Sequence, residues 1–563
     1  MTANNTEASD NTDETASTYS GNVTYLYSSK ITGNVNLEGI CEILAESDAF
    51  SFALTNRGKI YFTDAGRLRS QQLNIRHEIS EQGLKVSGHN NFLRTNPGDS
   101  NTYSLLTAFN LILSDKHLFN TAYGFPTESA RIFMRPIAIK CDGDKAYEFI
   151  TPHIRVYIGG VISIVLPTMP GFTNASTSEV IHCEVNKSRR NITSLLCEKK
   201  LHQACTESLL AQMSRTERLT QRKSFDSIIK TAFDNPETIE FLEEKLTVFE
   251  LVHTDQFSLS DLARNLLSVV ARTIKMGALQ TKANWHAGRY EDDSIGHHWR
   301  GKPIVYIQSH TQQKWSASEN LSHHSQLVNS VMARSVASKK DSNSPVLLAR
   351  DMRQADDYNN FYSESVSLLL SSAKFEKFIQ EQDHYTFQNL TSDIQVLNEA
   401  ADYILIYYSY AGLNLKKCKT AIHVAQLELD ILEFEETLLQ AHKYGEIAKY
   451  IEEVQVGGQL STTYKQLQKK IDTIRKSLEL EEKIISESNT RRLTIIFGII
   501  ASATLPPELT LPLLKYLGLV STDESLNKLY SIGASLAAVI SIITLAHFAF
   551  KIGAYKIKTL RRR

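Results

Sequence analysis

"QLSTTYKQLQKKIDTIRKSLELEEKIISESNTRRLTIIFGIIASA", Gln459 to Ala503, contains no proline, and its first glycine is Gly498. Its apolar positions Leu460, Tyr464, Leu467, Ile471, Ile474, Leu478 and Ile485 recur at three- and four-residue steps and then at seven, a heptad seam. Leu460 to Arg491 alone makes a helix of about 48 Å at 1.5 Å per residue. No breaker separates that helix from the uncharged run beginning at Leu493. One helix is therefore expected to pass from a polar stalk into an apolar segment.

Downstream the pattern stays apolar. "TLPPELTLPLLKYLGLV" (Thr504–Val520) follows directly, with Pro506, Pro507, Glu508 and Lys515 set in an apolar context. "LYSIGASLAAVISIITLAHFAF" (Leu529–Phe550) has no charge apart from His547 and is long enough to cross a hydrocarbon layer as a helix. Two transmembrane helices are expected, at 493–517 and 529–551. Arg491 and Arg492 precede the first, and the basic tail 552–563, ending in Arg561, Arg562 and Arg563, follows the second. The connecting loop holds Asp523 and Glu524 against Lys528. The positive-inside bias then puts both termini in the cytoplasm of a cell with an inner membrane.

Upstream, "DIQVLNEAADYILIYYSYAGLNLKKCKTAIHVAQLELDILEFEE" lacks proline and breaks only near Gly412, and two glycines in "VGGQ" (Val456–Gln459) mark a reversal. Residues 388–492 thus read as a helical hairpin and stalk. Residues 1–19 are acidic and polar, the composition of a disordered tail, with no signal peptide. Residues 20–200 mix strands and helices, an α/β or α+β cytosolic domain. "HIRVYIGGVISIVLP" carries Gly159-Gly160 between two β-branched runs, a hairpin signal. Residues 201–387 read as helical and loop-rich, and "SLSDLARNLLSVVARTIKM" opens with a capping serine and an aspartate.

The layout resembles the CorA family of divalent-cation transporters: a cytosolic α/β region, a helical hairpin, a stalk helix running into a first span, and the basic tail "KIKTLRRR". "TLPPELT" is similar to the proline-containing middle of that family's first span. The resemblance covers the layout of about residues 388–563 and implies a pentamer around a shared path lined by the first spans. It departs from the family at the filter, because Gly-Met-Asn occurs nowhere in the chain and Tyr516, Leu517 and Gly518 stand near its place. The resemblance also reaches membrane effectors of bacterial antiviral systems, in which a sensor domain detects a nucleotide signal or a partner.

Two helices per copy cannot enclose a pore, so a homo-oligomer in the lipid bilayer is expected. Pore candidates are Glu508, Pro506, Pro507, Tyr516 and Gly518. Glu508 forms either a carboxylate ring in the path or a charge at the membrane edge. By resemblance, acidic Glu433, Glu435 and Glu436 on the hairpin attract Arg561, Arg562 and Arg563 and gate the path. A gated, poorly selective pore that depolarises the membrane is the expected function. A divalent-cation transporter with a divergent filter is the alternative.

A net charge of −1 gives no global attraction to nucleic acid, so no direct nucleic-acid binding is expected. Cys197, His202 and Cys205 lack a fourth ligand at a zinc spacing, and the cysteines read as free thiols in a reducing compartment. Trp285, Trp299 and Trp315 share one stretch with His286, His297, His298, His310, His323 and His324. It reads as a loop-rich surface, with His297 and His298 as ligand candidates. No P-loop, Rossmann glycine pattern, G-x-S-x-G or H-E-x-x-H occurs. Neither enzymatic activity nor a metal or cofactor is expected.

Overall fold

The structure is a computed structural model of the chain. It describes residues 17–31, 34–47, 49–76, 85–87, 91–119, 124–212, 215–251, 256–277, 300–336, 350–353, 356–381, 385–440, 450–452, 454, 458–503, 512, 514–519, 522–535, 537, 540–541 and 544. Two compact units divide the chain: Met1–Lys416 with Leu427–Gln468, and Lys417–Gln426 with Lys469–Arg563.

The first unit is α+β, built on a 16-stranded sheet. Its strands are β1 (Thr18–Lys30), β2 (Phe50–Thr55), β3 (Lys59–Asp64) and β4 (Arg67–Gln72), with β5 (Asn74–Arg76) and β6 (Lys85–Ser87) forming a separate pair. The sheet continues with β7 (Ser129–Met134), β8 (Ile137–Cys141), β9 (Glu148–Ile150), β10 (His153–Tyr157), β11 (Val161–Met169) and β12 (Phe172–Ser176). It ends with β13 (Ile192–Cys197), β14 (Glu237–Phe241), β15 (Glu244–Glu250), β16 (Arg300–His310), β17 (Tyr358–Tyr362) and β18 (Ser367–Ser371). Pairing is antiparallel except between β16 and β18. β1 lies between β11 and β16, so Thr24 faces Pro167 on one side and Ile304 on the other.

Local signals explain the elements that the sequence announces. β10 and β11 form the expected hairpin, closed by Gly160 N–H donating to Tyr157 O at 2.8 Å with Gly160 at φ 81°. The helices used below are α1 (Leu37–Glu46), α2 (Asp99–Leu118), α3 (Leu259–Met276), α4 (Phe387–Asn414), α5 (Ala421–Gln440) and α6 (Gly458–Ala503). α3 starts in a capping box between Ser258 and Asp261 and stops at Gly277 in the left-handed region. α6 runs unbroken for 46 residues, about 69 Å at 1.5 Å per residue.

Three expectations differ from the fold. Residues 300–310 were expected in a loop-rich surface and form β16, an inner strand of the sheet. Its pairing with β1 is long-range, so nothing local marks it. Residues 201–387, expected to be helical and loop-rich, contribute β14 to β18 to the same sheet as the strands of 20–200. Thr18 and Tyr19, assigned by composition to the tail, belong to β1, and Tyr19 is buried.

Among the described residues, no helix is long and apolar enough to cross a membrane. Both spans expected from sequence include residues outside the described set, among them 504–511, 513, 542–543 and 545–551.

Strand periodicity sorts the two faces of the sheet. Tyr25, Tyr27, Ile132, Ile154, Val156, Ile162, Ile164, Val305 and Ile307 join one apolar core with residues of α1 and α3. The alternate residues Ser28, Arg131, His153, Arg155, Ser163 and Lys302 are also buried, on the opposite face. That face carries polar and charged groups where an ordinary sheet would carry more apolar ones.

Candidate functional site

The polar face of the sheet is covered by α4. Seventeen residues of α4 are buried, and they include Ser392, Gln395, Asn398, Glu399 and Asp402. Their spacing of three and four residues places them along one stripe of the helix. Facing them, strand register lines up a transverse row: Arg131 opposite Arg155, Arg155 opposite Ser163, and Ser163 opposite Ser28. Two arginines directly opposite each other across strands repel, so this row requires acids from outside the sheet.

Glu399 supplies the first. Arg131 donates to it from Nη1 at 2.9 Å and from Nη2 at 2.7 Å, a two-pronged contact. Arg155 Nη1 donates to the same carboxylate at 3.0 Å, and Gln395 Nε2 does so at 2.8 Å. Asp115 of α2 supplies the second acid, with Arg155 Nη1 at 3.1 Å and Nη2 at 2.9 Å. A third pair closes the row: Lys302 Nζ lies 2.7 Å from Asp402, which also accepts from Ser28 Oγ at 2.9 Å. Three buried cations thus meet three buried carboxylates.

Burial opposes the charge of Glu399, yet Arg131 and Arg155 outweigh it and hold the carboxyl well below the usual range. For Asp115 burial wins over Arg155 and Arg131, and its carboxyl is raised. Burial is also the main force on Arg155, but Asp115, Tyr157 and Glu399 more than offset it and keep the guanidinium charged. His153 stacks on Phe133 and receives a hydrogen bond from Gln395 Nε2 at 2.9 Å. Burial, with Arg131 beside it, lowers the imidazole to about 3, so it is neutral.

Every member of this seam is nearly inaccessible to solvent. Such a site cannot meet a substrate. It can hold α4 in one register against the sheet, and it can release α4 if the charges part. Buried ion pairs are a weak source of net stability, and their best-attested use is to fix register or act as a switch.

A second polar cluster gathers three of the six histidines noted in the sequence. The rings of His310 and His324 are 4.2 Å apart, and those of His323 and His324 are 4.8 Å apart. Tyr19 Oη lies 3.1 Å from His324 Nδ1, and His323 Nε2 lies 2.6 Å from Gln312 Oε1. Burial and the adjacent His310 push His324 down to about 3. Among the described residues no group of three or more His, Cys, Asp or Glu could hold a metal ion. Cys197, His202 and Cys205 are buried, and His202 Nε2 lies 3.0 Å from Glu250 O.

Of the sequence-derived candidates, Glu508, Pro506, Pro507, His297, His298, Arg561, Arg562 and Arg563 lie outside the described residues. Tyr516 is exposed, and Gly518 takes φ 73° where a short helical turn ends. Glu433 and Glu436 are exposed. Glu435 is half-buried and accepts a hydrogen bond from Tyr408 Oη at 2.9 Å.

The seam was not found from sequence, although a signal exists. Arg155 interrupts an apolar strand, and Glu399 and Asp402 sit in the apolar helix "QVLNEAADYILIYY". Charges in such settings call for partners. No protein family, curated protein or solved structure matches the chain.

Proposed function

We propose that this chain is one subunit of a gated, oligomeric membrane pore of CorA-like layout, with the α+β unit as its sensor. The observation that carries this reading is α6. This single helix begins in the α+β unit and continues to Ala503, and its large apolar side chains Leu493, Ile496 and Phe497 are exposed. Exposed apolar side chains in such a run need lipid or protein to cover them. Leu529, Ile532 and Ile540 further along are exposed as well.

The seam supplies the gate's link to the sensor in this reading. α4 is held on the sheet by charge and leads into α5. A nucleotide signal or partner that shifts the sheet changes the hold on α4. Without Gly-Met-Asn, the path selects poorly among ions, and its opening depolarises the inner membrane. Such a pore suits an antiviral effector, by analogy alone.

The test is potential-sensitive dye fluorescence in cells expressing the full chain, paired with ion flux from vesicles holding the purified protein. Depolarisation, with flux of monovalent and divalent cations alike, is the expected result. Flux confined to divalent cations would favour the transporter alternative. No flux of any ion from vesicles in which the chain is inserted would end the pore reading.

A further inference from the structure

Tyr19, His310, His323 and His324 meet at one place on the sheet, and the proposed pore uses none of them. Tyr19 stands directly opposite His310 across β1 and β16. His324 is the residue at which the helix Ser325–Ala333 begins. Leu327, Val328, Val331 and Met332 of that helix lie in the main apolar core. His324 Nδ1 lies 3.1 Å from Tyr19 Oη, and its ring lies 4.2 Å from that of His310 and 4.8 Å from that of His323. Tyr19, His310 and His324 are buried, and His323 is exposed. The contact of Tyr19 with His324 thus ties the first strand to a helix 305 residues later in the chain.

His310 is arranged to take a proton: Nδ1 lies 3.3 Å from Thr311 O and Nε2 lies 3.3 Å from Ser371 O. A neutral imidazole donates from one nitrogen only, whereas an imidazolium donates from both. His324 is arranged to refuse one. Its Nε2 is buried with no hydrogen-bond partner among the described residues. Burial pushes His324 down to about 3, joined by His310, His323 and Lys314, and the Gln312 carbonyl is outweighed. Burial lowers His310 too, opposed by the carbonyls of Thr311 and Ser371 and helped by His323. Burial raises Tyr19, which stays a neutral phenol. No carboxylate is among these groups. The acids beside the helix Ala317–His323 are engaged elsewhere, Asp356 by Arg353 at 3.0 Å and Asp357 by Lys374 at 2.7 Å. A proton on either buried ring therefore meets a repelling neighbour and no counter-ion.

We propose that Tyr19, His310 and His324 form an acid-released latch: as pH falls through the ordinary histidine range the two rings take up protons, Tyr19 parts from His324, and the helix Ser325–Ala333 lifts from the sheet. The closed latch refuses a proton at His324 until about pH 3, whereas a released, hydrated imidazole takes one near 6.5. The open state therefore binds more protons below about pH 6.5. The latch is fully closed above that pH and weakens as pH falls toward 3. For His324 alone, this linkage makes opening about tenfold easier at pH 5.5 than at pH 7.5, and His310 adds to it. The latch lies wholly within the α+β unit and stands whether or not the chain conducts ions.

The test is hydrogen–deuterium exchange of the full chain in detergent micelles at pH 7.5 and 5.5, with rates corrected for the intrinsic effect of pH. Protection of the helix Ser325–Ala333 is expected to fall about tenfold or more at pH 5.5, while β10 and β11 keep theirs. His324→Gln keeps a hydrogen-bonding group that takes no proton, and it is expected to remove most of that change. His310→Gln with His324→Gln is expected to abolish it. Protection that ignores pH in the unsubstituted chain, equal loss in β10 and β11, or a full pH response in the double variant overturns the proposal. A second measurement needs no variant. Labelling of His324 by diethyl pyrocarbonate, taken relative to exposed His323, is expected to rise about tenfold from pH 7.5 to 5.5, and a flat ratio overturns the latch.

Discussion

Replacing Glu399 by leucine tests whether the buried seam is energetically closed. The carboxylate accepts from Arg131 at 2.9 and 2.7 Å, from Arg155 at 3.0 Å and from Gln395 at 2.8 Å. Its removal strands Arg131, whose other carboxylate neighbour, Asp115, is 3.5 Å away and already bound to Arg155. Removing one partner of a buried pair costs about 3–5 kcal/mol. Each 1.4 kcal/mol is about a factor of ten in the equilibrium, so the folded population falls by roughly two to three and a half decades. That is a large part of the roughly 5–15 kcal/mol that holds a typical native protein. Adding Arg131→Met to Glu399→Leu removes the stranded charge and leaves Arg155 paired with Asp115. The double variant should therefore recover part of the loss, with a coupling of about 2 kcal/mol or more against the sum of the single effects. Urea titration of the full chain, read by pulse proteolysis, measures all three variants. Strict additivity, or a Glu399→Leu midpoint equal to that of the unsubstituted chain, would refute the picture of mutually compensating buried charges.

Two further outcomes follow from the same structure. His153 titrates at about 3 when folded, through burial first and Arg131 second, against about 6.5 unfolded. The unfolded chain thus takes a proton below about pH 6.5 that the folded chain refuses. Stability from this group is complete above that pH and is lost as pH falls toward 3. His153→Gln should flatten the change in urea midpoint between pH 7 and 5, and an unchanged slope would show that His153 does not set it. Gly21 sits where the register of β1 with β16 shifts, and a Cβ there would lie 1.9 Å from Tyr306 O. Backbone cannot swing aside as a side chain can, so Gly21→Ala should cost about 1–3 kcal/mol by overpacking. A thermal midpoint within error of the original would contradict the close approach.

The legible parts of the fold are those with short-range causes. The Gly159-Gly160 hairpin, the capping box at Ser258 and Asp261, and the unbroken helix through Leu460 and Ile485 each lie within one local window. β16 was missed because its strand pairing depends on β1, nearly three hundred residues earlier in the chain. The seam was missed for the same reason, since Arg131 and Glu399 are 268 residues apart. Each looks like an isolated charge until the fold brings them together. Of the six clustered histidines, sequence density marked the neighbourhood, but only packing joined His310, His323 and His324 around Tyr19.

By itself, then, the sequence determined where helices and hairpins begin and end, because capping, glycine conformation and apolar period act over a few residues. It also determined that residues 493–503 and 529–550 are apolar, as composition alone decides that. Only the tertiary structure decided which face of the sheet is charged and what neutralises it. Those contacts exist because alternate strand residues point to opposite faces and α4 brings its acids against one of them. The energy of a buried charge depends on its surroundings, and those surroundings are assembled from residues hundreds of positions apart.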